Sequence, residues 1–447
     1  MPRDCRSASC PLRVQLAAGH IYTVERAVAA AQRSLKRAAL IAALMDPPRL
    51  TMFSSTPNTV LTPAQALARY RDALTLSTDG RTVVMPGLIA TLLFERGSTP
   101  AVRPGVLACF DRYAELYGEH LKGGKDSDLG KFSKRTAKGI ELIRRAISET
   151  PSWKEVSVVR SSATDQDTAA EYAIASLTAT ALPEEYVSPT GLRIAKGQES
   201  GLSCLKFHVP MDSIACAEAL TRYEEMLRFV CAELPVRGGY GGLSTILPFS
   251  FHPYMQHEWT LAQRFSGLEI DSHAFSQNQE YDPVSYEGES LSAMTAFYDY
   301  LKPGAKVGRY GYIKGVNWYT VLGELFVERM GGEGALRASL ARADIAVERA
   351  GECLLIRAGE VPRLGAPEEG LPEPYVFVNS VVRVLRNPAP DALHTYVPDL
   401  ANANAKETSC WAARFDLPGA APLSVAPATV PEMVASGNGQ RASTAEG

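Results

Sequence analysis

The stretch from Ile313 to Gly332 constrains the fold more than any other part of the chain. An asparagine side chain can accept hydrogen bonds from the first turn of a helix, and a pair of glycines can end one. The stretch therefore predicts an amphipathic helix that begins at Asn317 and stops at Gly331 and Gly332. Its apolar face is formed by residues at helical spacing, namely Trp318, Val321, Leu322, Leu325 and Phe326.

Two flanking regions differ in composition from the centre of the chain. Residues 1–51 predict a helical extension, because an alanine-rich run from Val24 ends at Asp46-Pro47-Pro48. Met52 is a second plausible start, so this extension is either a start assigned too early or a basic helix for a partner. Residues 402–447 lose the periodic pattern and become rich in Pro, Ala, Ser and Gly, which predicts a low-complexity, disordered tail.

Helical and strand patterns are mixed between these flanks. We expect an α+β fold: a single globular domain, residues 52–401, with a mixed, mainly antiparallel sheet packed with amphipathic helices. The run Gly238–Gly242 follows a helical pattern and predicts a helix stop and tight turn, because a phosphate-binding loop needs a strand before its glycines. The helical segments are Leu61–Ser77, Arg103–Tyr117, Thr136–Ile147 and Met211–Leu234, and the strand segments are Arg81–Arg96 (one strand or a pair), Val156–Arg160, Glu171–Thr180, Leu202–Val209, Leu243–Phe251, Ile345–Val347, Cys353–Ala358 and Tyr375–Leu385.

The charge and cysteine content narrow the class of protein. A net charge of −3 argues against a dedicated nucleic-acid binder, which usually carries a basic excess. The 8 cysteines are scattered without a C-x-x-C pair, which fits a reducing compartment and not a disulfide scaffold or a zinc site. No apolar run approaches the ~20 residues that a membrane span needs. We therefore expect a cytoplasmic protein with no membrane contact and no direct nucleic-acid contact.

The sequence offers no convincing catalytic or metal-binding constellation. His252 and His257 do not have the zincin spacing, and Pro253 interrupts any helix that would carry both. The serines of the run Arg160–Asp167 lack a nucleophile elbow, and Asp126 and Asp128 lack the remaining positions of a calcium loop. We predict no catalytic residue, no metal and no cofactor.

One interval has an unusual charge pattern. Between Arg264 and Lys302 the chain contains no lysine or arginine, but many acidic and aromatic residues. Such a stretch suits docking onto a basic cleft, because carboxylates can stand where phosphates would lie and aromatic rings supply buried contact area. The alternative is a solvated acidic loop. The candidate contact residues are Glu269, Asp271, Asp282, Glu287, Glu289, Tyr281 and Tyr286.

Several blocks of the chain resemble a known family. The combination of Gly-Val-Asn-Trp at 315–318, Leu-Gly at 322–323 and Gly-Gly at 331–332 resembles a motif of the type VI secretion immunity family, TsiV-like. Its motif residues here are Gly315, Asn317, Trp318, Gly323, Gly331 and Gly332, to which we assign a structural role. Further similar blocks follow in the family's order between Arg81 and Arg386, namely Leu88–Phe94, Val106–Tyr117, Gly239–Gly242, Arg264–Leu268 and Arg357–Gly365.

This resemblance implies a non-enzymatic antitoxin, with residues 52–401 as the immunity domain. Members of the family bind a cognate type VI effector, and some are paired with VRR-Nuc-type nucleases. The resemblance therefore implies a protein toxin as partner and occlusion of its active site as mechanism; it does not predict the oligomeric state. Two alternatives stay open. One is a structural adaptor of the secretion apparatus, and the other is an enzyme whose deep pocket would gather His, Asp or Ser side chains from distant loops.

Overall fold

The computed structural model describes residues 62–125, 132–181, 186–187, 193–194, 202–272, 284–286, 289–291, 312–388, 390, 393, 403–421 and 423. Residues Met1–Val60 separate from Leu61–Gly447 as a unit of their own, and the described residues all belong to the second unit. The predicted helical extension, residues 1–51, lies outside the described residues.

The helices begin at recognisable caps. Thr62 and Gln65 form a capping box at the first helix, and the Thr136 side chain accepts from the N–H of Gly139 at the third. The described helices are α1 (Pro63–Tyr70), α2 (Arg103–Tyr117), α3 (Ala137–Glu149), α4 (Ala217–Glu233), α5 (Met255–Arg264), α6 (Glu324–Arg329), α7 (Glu333–Ser339), α8 (Glu373–Val382) and α9 (Ala405–Ala412).

The strands are short except near the middle of the sheet. They are β1 (Leu76–Thr78), β2 (Arg81–Phe94), β3 (Gly123–Lys125), β4 (Ser133–Lys134), β5 (Ser157–Ser161), β6 (Ala173–Leu177), β7 (Tyr186–Val187), β8 (Arg193–Ile194), β9 (Ser203–Pro210), β10 (Val236–Ile246), β11 (Val284–Tyr286), β12 (Glu289–Leu291), β13 (Tyr319–Leu322), β14 (Ile345–Ala350) and β15 (Cys353–Ala358).

A single 11-stranded sheet organises the domain in the order β14-β15-β13-β10-β2-β9-β6-β5-β3-β4, with β1 added beside β2. Each described pairing between these strands is antiparallel. The predicted α+β class with a mainly antiparallel sheet is therefore confirmed. The segment Arg81–Arg96 contains one long strand, β2, whose Pro86 and Gly87 pair in register with Thr245 and Ser244 of β10.

The stretch used to anchor the sequence prediction folds differently. Residues Tyr319–Leu322 are strand β13, and the helix α6 starts only after Gly323. Asn317 is therefore not a helix cap. The prediction was wrong because a short buried strand followed by a helix can place apolar residues at the same spacing as one continuous helix. Gly323 forms the junction, since a Cβ there would lie 2.4 Å from the carbonyl oxygen of Val236.

Two further segments correct the sequence prediction. The run Gly238–Gly242 lies inside β10 and is not a turn; a Cβ on Gly241 would lie 2.4 Å from the hydroxyl of Tyr223. Small residues are needed there because a helix packs directly against the strand. The β-branched run after Glu373 predicted a strand but forms helix α8, which begins with Glu373 and a proline in its first turn and buries Tyr375, Val378 and Val382 at helical spacing.

Part of the predicted tail is structured. Within the range 402–447, helix α9 is capped by the Asn404 side chain, which accepts from the N–H of Glu407. Trp411 and Phe415 are buried in the main core. The packing of these two rings explains why this helix forms in a segment whose average composition is that of a linker.

The two faces of the sheet are covered differently. On one face, which we call the helical face, α2 and α4 lie against alternate side chains of the central strands, including Phe207. The hydroxyl of Tyr113 donates to the carbonyl of His208 (2.7 Å) and that of Tyr223 to the carbonyl of Ile89 (2.6 Å). A chain of rings runs across this face, from Tyr113 through Phe207 and Tyr223 to Trp318, with centroids 5.5–6.0 Å apart.

The second face carries the intervening side chains of the same strands, and we call it the polar face. Thr91 of β2, Lys206 and His208 of β9 and Tyr240 of β10 lie on it, because side chains alternate along a strand. The segment after β10 crosses this face: the N–H of Glu269 donates to the carbonyl of Leu243 (2.9 Å). This crossing brings the first residues of the acidic interval onto the sheet.

Candidate functional site: a buried charge network beside a cavity

Asp271 is the centre of the polar face. Its carboxylate accepts hydrogen bonds from Thr91 Oγ1 (2.7 Å), Tyr240 Oη (2.9 Å) and Lys206 Nζ (3.0 Å). Asp271 is only 5% exposed. Burial alone would raise the pKa of Asp271, but the charges of Lys206 and Lys314 and these hydrogen bonds outweigh it and lower the pKa. The same pair raises the pKa of Lys206 against the effect of burial. Asp271 is thus held as an anion.

Glu269 forms the second half of the network. Its carboxylate lies 3.3 Å from Lys314 Nζ and 3.6 Å from Arg414 Nη2, and the Asn317 amide donates to it at 3.4 Å. Lys314 also donates to the carbonyl of Ile270 and to Tyr240 Oη. Burial lowers the pKa of Arg414 to about 10, which the nearby Glu269 partly opposes. Each buried charge therefore has an opposite charge beside it, as burial requires.

Glu258 of α5 fixes the backbone at the end of this segment. Its Oε1 accepts from the N–H groups of Asp271 (2.9 Å) and Ser272 (3.2 Å), and its Oε2 accepts from the Ser272 hydroxyl. Glu258 is 1% exposed. The chain is therefore held firmly up to the last described residue before the gap at 273–283.

A cavity of about 500 Å³ lies over the polar face, beside this network. Small side chains form part of its lining, because Ala173 and Ala175 of β6 stand opposite His208 and Lys206 in the sheet register. Aromatic residues, including Phe249, line it elsewhere, and its polar residues include Lys206, His208, Asp271 and Ser272. The cavity is large enough for a small molecule or a large side chain of a partner.

His208, Ser161 and Ser272, which line the cavity, do not form a catalytic pair with one another. His208 Nε2 is 2.9 Å from the carbonyl of Ala170 and must donate to it, and burial together with the Lys206 charge lowers its pKa to about 4. Among the described residues, Ser161 accepts from the N–H of Ala163 and Ser272 donates to Glu258, so neither hydroxyl is bonded to His208. A pocket with His, Asp and Ser is present, but the nucleophile–base contact that the enzyme alternative needs is not formed between them.

The predicted effector-contact residues fall into three groups in the structure. Glu269 and Asp271 are buried and paired inside the protein, so their carboxylates do not reach the surface in this conformation. Tyr286 and Glu289 are directly opposite each other in the backbone register of the β11–β12 hairpin. Tyr281, Asp282 and Glu287 lie outside the described residues.

The family-motif residues serve the scaffold. Trp318 is fully buried, stacks on Tyr223 and donates from Nε1 to the carbonyl of Gly359 (3.1 Å). Asn317 accepts from the N–H of Trp318 (2.7 Å) while its amide contacts Glu269, so it joins the two faces of the sheet. Gly331 and Gly332 have φ values of 88° and 90°, which end α6 as predicted. At Gly315 the structure gives no steric reason for glycine.

Sequence reasoning missed the cations of the network. Lys206 and Lys314 each stand in an apolar run, and such a lysine is a signal of a buried ion pair. The partner of each charge is distant along the chain, so the pairing itself could not be read from local pattern.

The described residues contain no group of three or more His, Cys, Asp or Glu side chains placed to hold a metal ion. In the same part of the chain, no helix has the length and hydropathy needed to cross a bilayer.

Comparisons with known proteins place the chain in a family. Residues 105–284 and 303–415 match the model of the TsiV family, type VI immunity for VRR-NUC. The Pseudomonas aeruginosa T6SS protein PA0821 has a similar fold, with a TM-score of 0.60 and 20% identity, over 79% of this chain and 90% of that one. No curated protein sequence matches. The family match spans more than half of the chain and confirms the resemblance described above. The chain therefore belongs to the TsiV family and is a type VI immunity protein for a VRR-Nuc effector.

Proposed function

We propose that this chain neutralises its cognate VRR-Nuc effector by binding it as a folded protein and covering the nuclease active site, without catalysis of its own. The family match over residues 105–284 and 303–415 carries this proposal. In the cavity, His208 is bonded to the carbonyl of Ala170 and Ser272 to Glu258, and these contacts support a binding role over an enzymatic one. A nuclease must be stopped where its substrate lies, so we place this protein in the cytoplasm, with the effector as partner and no direct contact with nucleic acid or membrane.

We assign the effector contact to the acidic, aromatic interval. Residues 285–302, with Tyr286, Glu287 and Glu289, fall between the two segments of the family match, and Tyr281 and Asp282 lie directly before this break. Partner choice is commonly carried by such connections on a rigid scaffold. A surface that binds nucleic acid is basic, and acidic groups opposite it favour association. The leading contact residues are Asp282, Glu287 and Glu289, with Tyr281 and Tyr286 as aromatic anchors.

The chain is attached to the rest of the domain both before and after the proposed contact residues. Ser272 is held by Glu258 at the start, and the N–H of Ile313 donates to the carbonyl of Leu385 (2.9 Å) at the end. Glu269 and Asp271, which the sequence suggested as contacts, are already paired with Lys314 and Lys206. We therefore assign these two residues to anchoring the interval and not to touching the effector.

Charge reversal tests this assignment. We expect the triple variant Asp282→Lys, Glu287→Lys, Glu289→Lys to bind a catalytically inactive form of the neighbouring effector at least ~100-fold more weakly, because like charges would face each other across the contact. Binding is measured by isothermal titration calorimetry, and protection by growth of cells that express the active effector.

A matched variant controls for net charge. Glu119, Glu218 and Glu373 are exposed and far from the interval in sequence, and their reversal to lysine makes the same change in charge. We expect this control to keep its affinity within about threefold. Equal loss in both variants would reduce the effect to net charge, whereas unchanged binding in the first variant would remove the interval as contact surface. Failure of the wild-type protein to bind or protect would overturn the proposed function itself.

A further inference from the structure

A small pocket, separate from the cavity over the polar face, lies where α3 begins. It has a volume of about 30 Å³, enough for two water molecules or for the inner oxygens of one small anion. Four elements contribute to its lining: β3 with Lys125, β4 with Lys134, the first turn of α3 with Thr136, and β5 with Arg160. Arg135 lies between β4 and α3 and also lines it.

Arg160 is the informative residue of this pocket. It is only 7% exposed, and its buried Nε and Nη2 atoms have no hydrogen-bond partner in the described structure. Its guanidinium carbon lies 5.9 Å from the ring centre of Phe110, which is at the limit of a cation–π contact. Arginine stays charged in proteins, so a buried guanidinium without partners is costly unless an anion approaches it.

Among the residues that the structure describes, the charges around Arg160 do not balance. Asp111 is its nearby carboxylate, and it is already bound by Arg144. Arg135 donates to the carbonyls of Gly118 and Leu121, which satisfy its hydrogen bonds but not its charge. Burial lowers the pKa of Arg160, and the positive charges of Arg144 and Arg135 lower it further. Three guanidinium groups thus share one carboxylate, in a protein whose net charge is −3.

The start of α3 adds to this positive field. The helix has 13 residues, and its N-terminal end carries the positive end of the helix dipole. Thr136 Oγ1 already accepts from the N–H of Gly139 (3.0 Å), so the helix contributes field and not a free cap donor. Arg135 stands at the same pocket and adds its positive charge there, whereas the Lys125 ammonium lies 4.4 Å from the ring centre of Phe249, which lines the larger cavity.

We propose that this pocket is an oxyanion site that takes a phosphate group, with Arg160 as its buried ligand and Arg135 at its rim. A doubly charged anion matches the surplus of positive charge left after Asp111 and Arg144 pair. The group is either free inorganic phosphate or the phosphoryl group of a mononucleotide, whose remaining oxygens extend to solvent. This site is separate from the proposed effector contact and does not depend on it.

Thermal unfolding of the full chain tests the proposal. Phosphate is titrated at pH 7 and constant ionic strength, with sodium chloride as replacement, so that screening cannot produce the effect. We expect the melting temperature to rise with phosphate and to follow mass action for one site. A parallel titration with adenosine monophosphate separates the sources: a tighter response to the nucleotide identifies a phosphoryl group, and an equal or weaker response identifies free phosphate.

Arg160→Gln removes the buried ligand, and Arg145→Gln is the control. Arg145 lies on α3, is 60% exposed and is not among the residues lining the pocket. We expect Arg160→Gln to raise the dissociation constant for phosphate about tenfold or more, and Arg145→Gln to raise it less than about twofold. If Arg160→Gln does not fold, Arg135→Gln is titrated instead, and the phosphate dissociation constant is expected to rise about threefold or more.

Two outcomes overturn the site. One is the absence of a phosphate response in the wild-type protein, or an equal response in Arg160→Gln. The other concerns Asp126 and Asp128, which lie between β3 and β4 in sequence and outside the described residues. If phosphate binds only to the variant Asp126→Asn, Asp128→Asn, the chain supplies its own anion and Arg160 is a structural ion-pair residue.

Discussion

The two faces of the central sheet achieve burial by different means. The helical face is closed by aromatic rings, in which Trp318 and Tyr223 are both fully buried and stack at 5.9 Å. The polar face is closed by paired charges, with Asp271 and Glu269 at its centre and an open volume of about 500 Å³ beside them. One face gains from apolar area, whereas the other depends on each charge keeping its partner.

This difference separates scaffold from site. Apolar packing tolerates no free space, so the helical face has little room for change without loss of stability. The polar face combines satisfied charges with a cavity, a combination typical of binding regions. Asn317 links the two, because its side-chain oxygen accepts from the N–H of Trp318 and its amide group contacts Glu269 on the other side. The family motif therefore marks the point where the scaffold fixes the site.

Removing a ring from the helical face should have the largest effect. We expect Trp318→Ala to lower the free energy of unfolding by about 3–5 kcal/mol, because it empties a fully buried space. Trp153 is 53% exposed, and Trp153→Ala should cost less than about 1 kcal/mol. Urea denaturation followed by circular dichroism measures both. Similar losses in the two variants would show that the helical face does not dominate stability.

Breaking a charge on the polar face should cost slightly less. We expect Asp271→Asn to lower the free energy of unfolding by about 3 kcal/mol at pH 7, because Lys206 loses its paired carboxylate while buried. The folded pKa of Asp271 lies below its unfolded value of about 3.9, so its contribution is complete above that pH and falls as pH drops through the folded pKa. The deficit of the variant should therefore shrink below about pH 4. A deficit that is constant with pH would assign the effect to packing.

Enlarging one alanine on each face should give the smallest of these differences in the free energy of unfolding. Ala90 is fully buried on the helical face, and we expect Ala90→Leu to cost about 1–3 kcal/mol by overpacking. Ala175 lines the cavity, and Ala175→Leu should change the free energy of unfolding by less than about 1 kcal/mol. Thermal and urea unfolding of the pair give the comparison. Equal costs would mean that the cavity is not available space.

Local pattern predicted what depends on neighbours in sequence. Helix α2 was predicted with its observed bounds, Arg103–Tyr117, because its apolar residues repeat at helical spacing over several turns. The segment after Asn317 was misread because four strand residues are too few to establish a period. The glycines inside β10 were predicted to form a turn, because the ring that excludes a side chain at Gly241, that of Tyr223, belongs to another element.

The site was less predictable than the fold because its contacts are distant along the chain. The acidic interval was recognised, but the roles of its first members were not, since Lys206 and Asp271 are 65 residues apart. The hydrogen bond between Asn317 and Glu269 likewise spans 48 residues. Burial of a charge depends on such long-range partners, which composition alone does not indicate.

The order of the strands has a consequence for how quickly protection can be established. The middle of the sheet joins β2 to β10, and the ion pair between Arg237 and Glu95 at its end connects residues 142 positions apart. Glu269 further needs Arg414, near the end of the chain, before its charge is fully compensated. Non-local contacts of this kind slow folding, and a chain still on the ribosome lacks some of them. We therefore expect resistance to an incoming toxin to rest on molecules made before the attack, and not on translation induced by it.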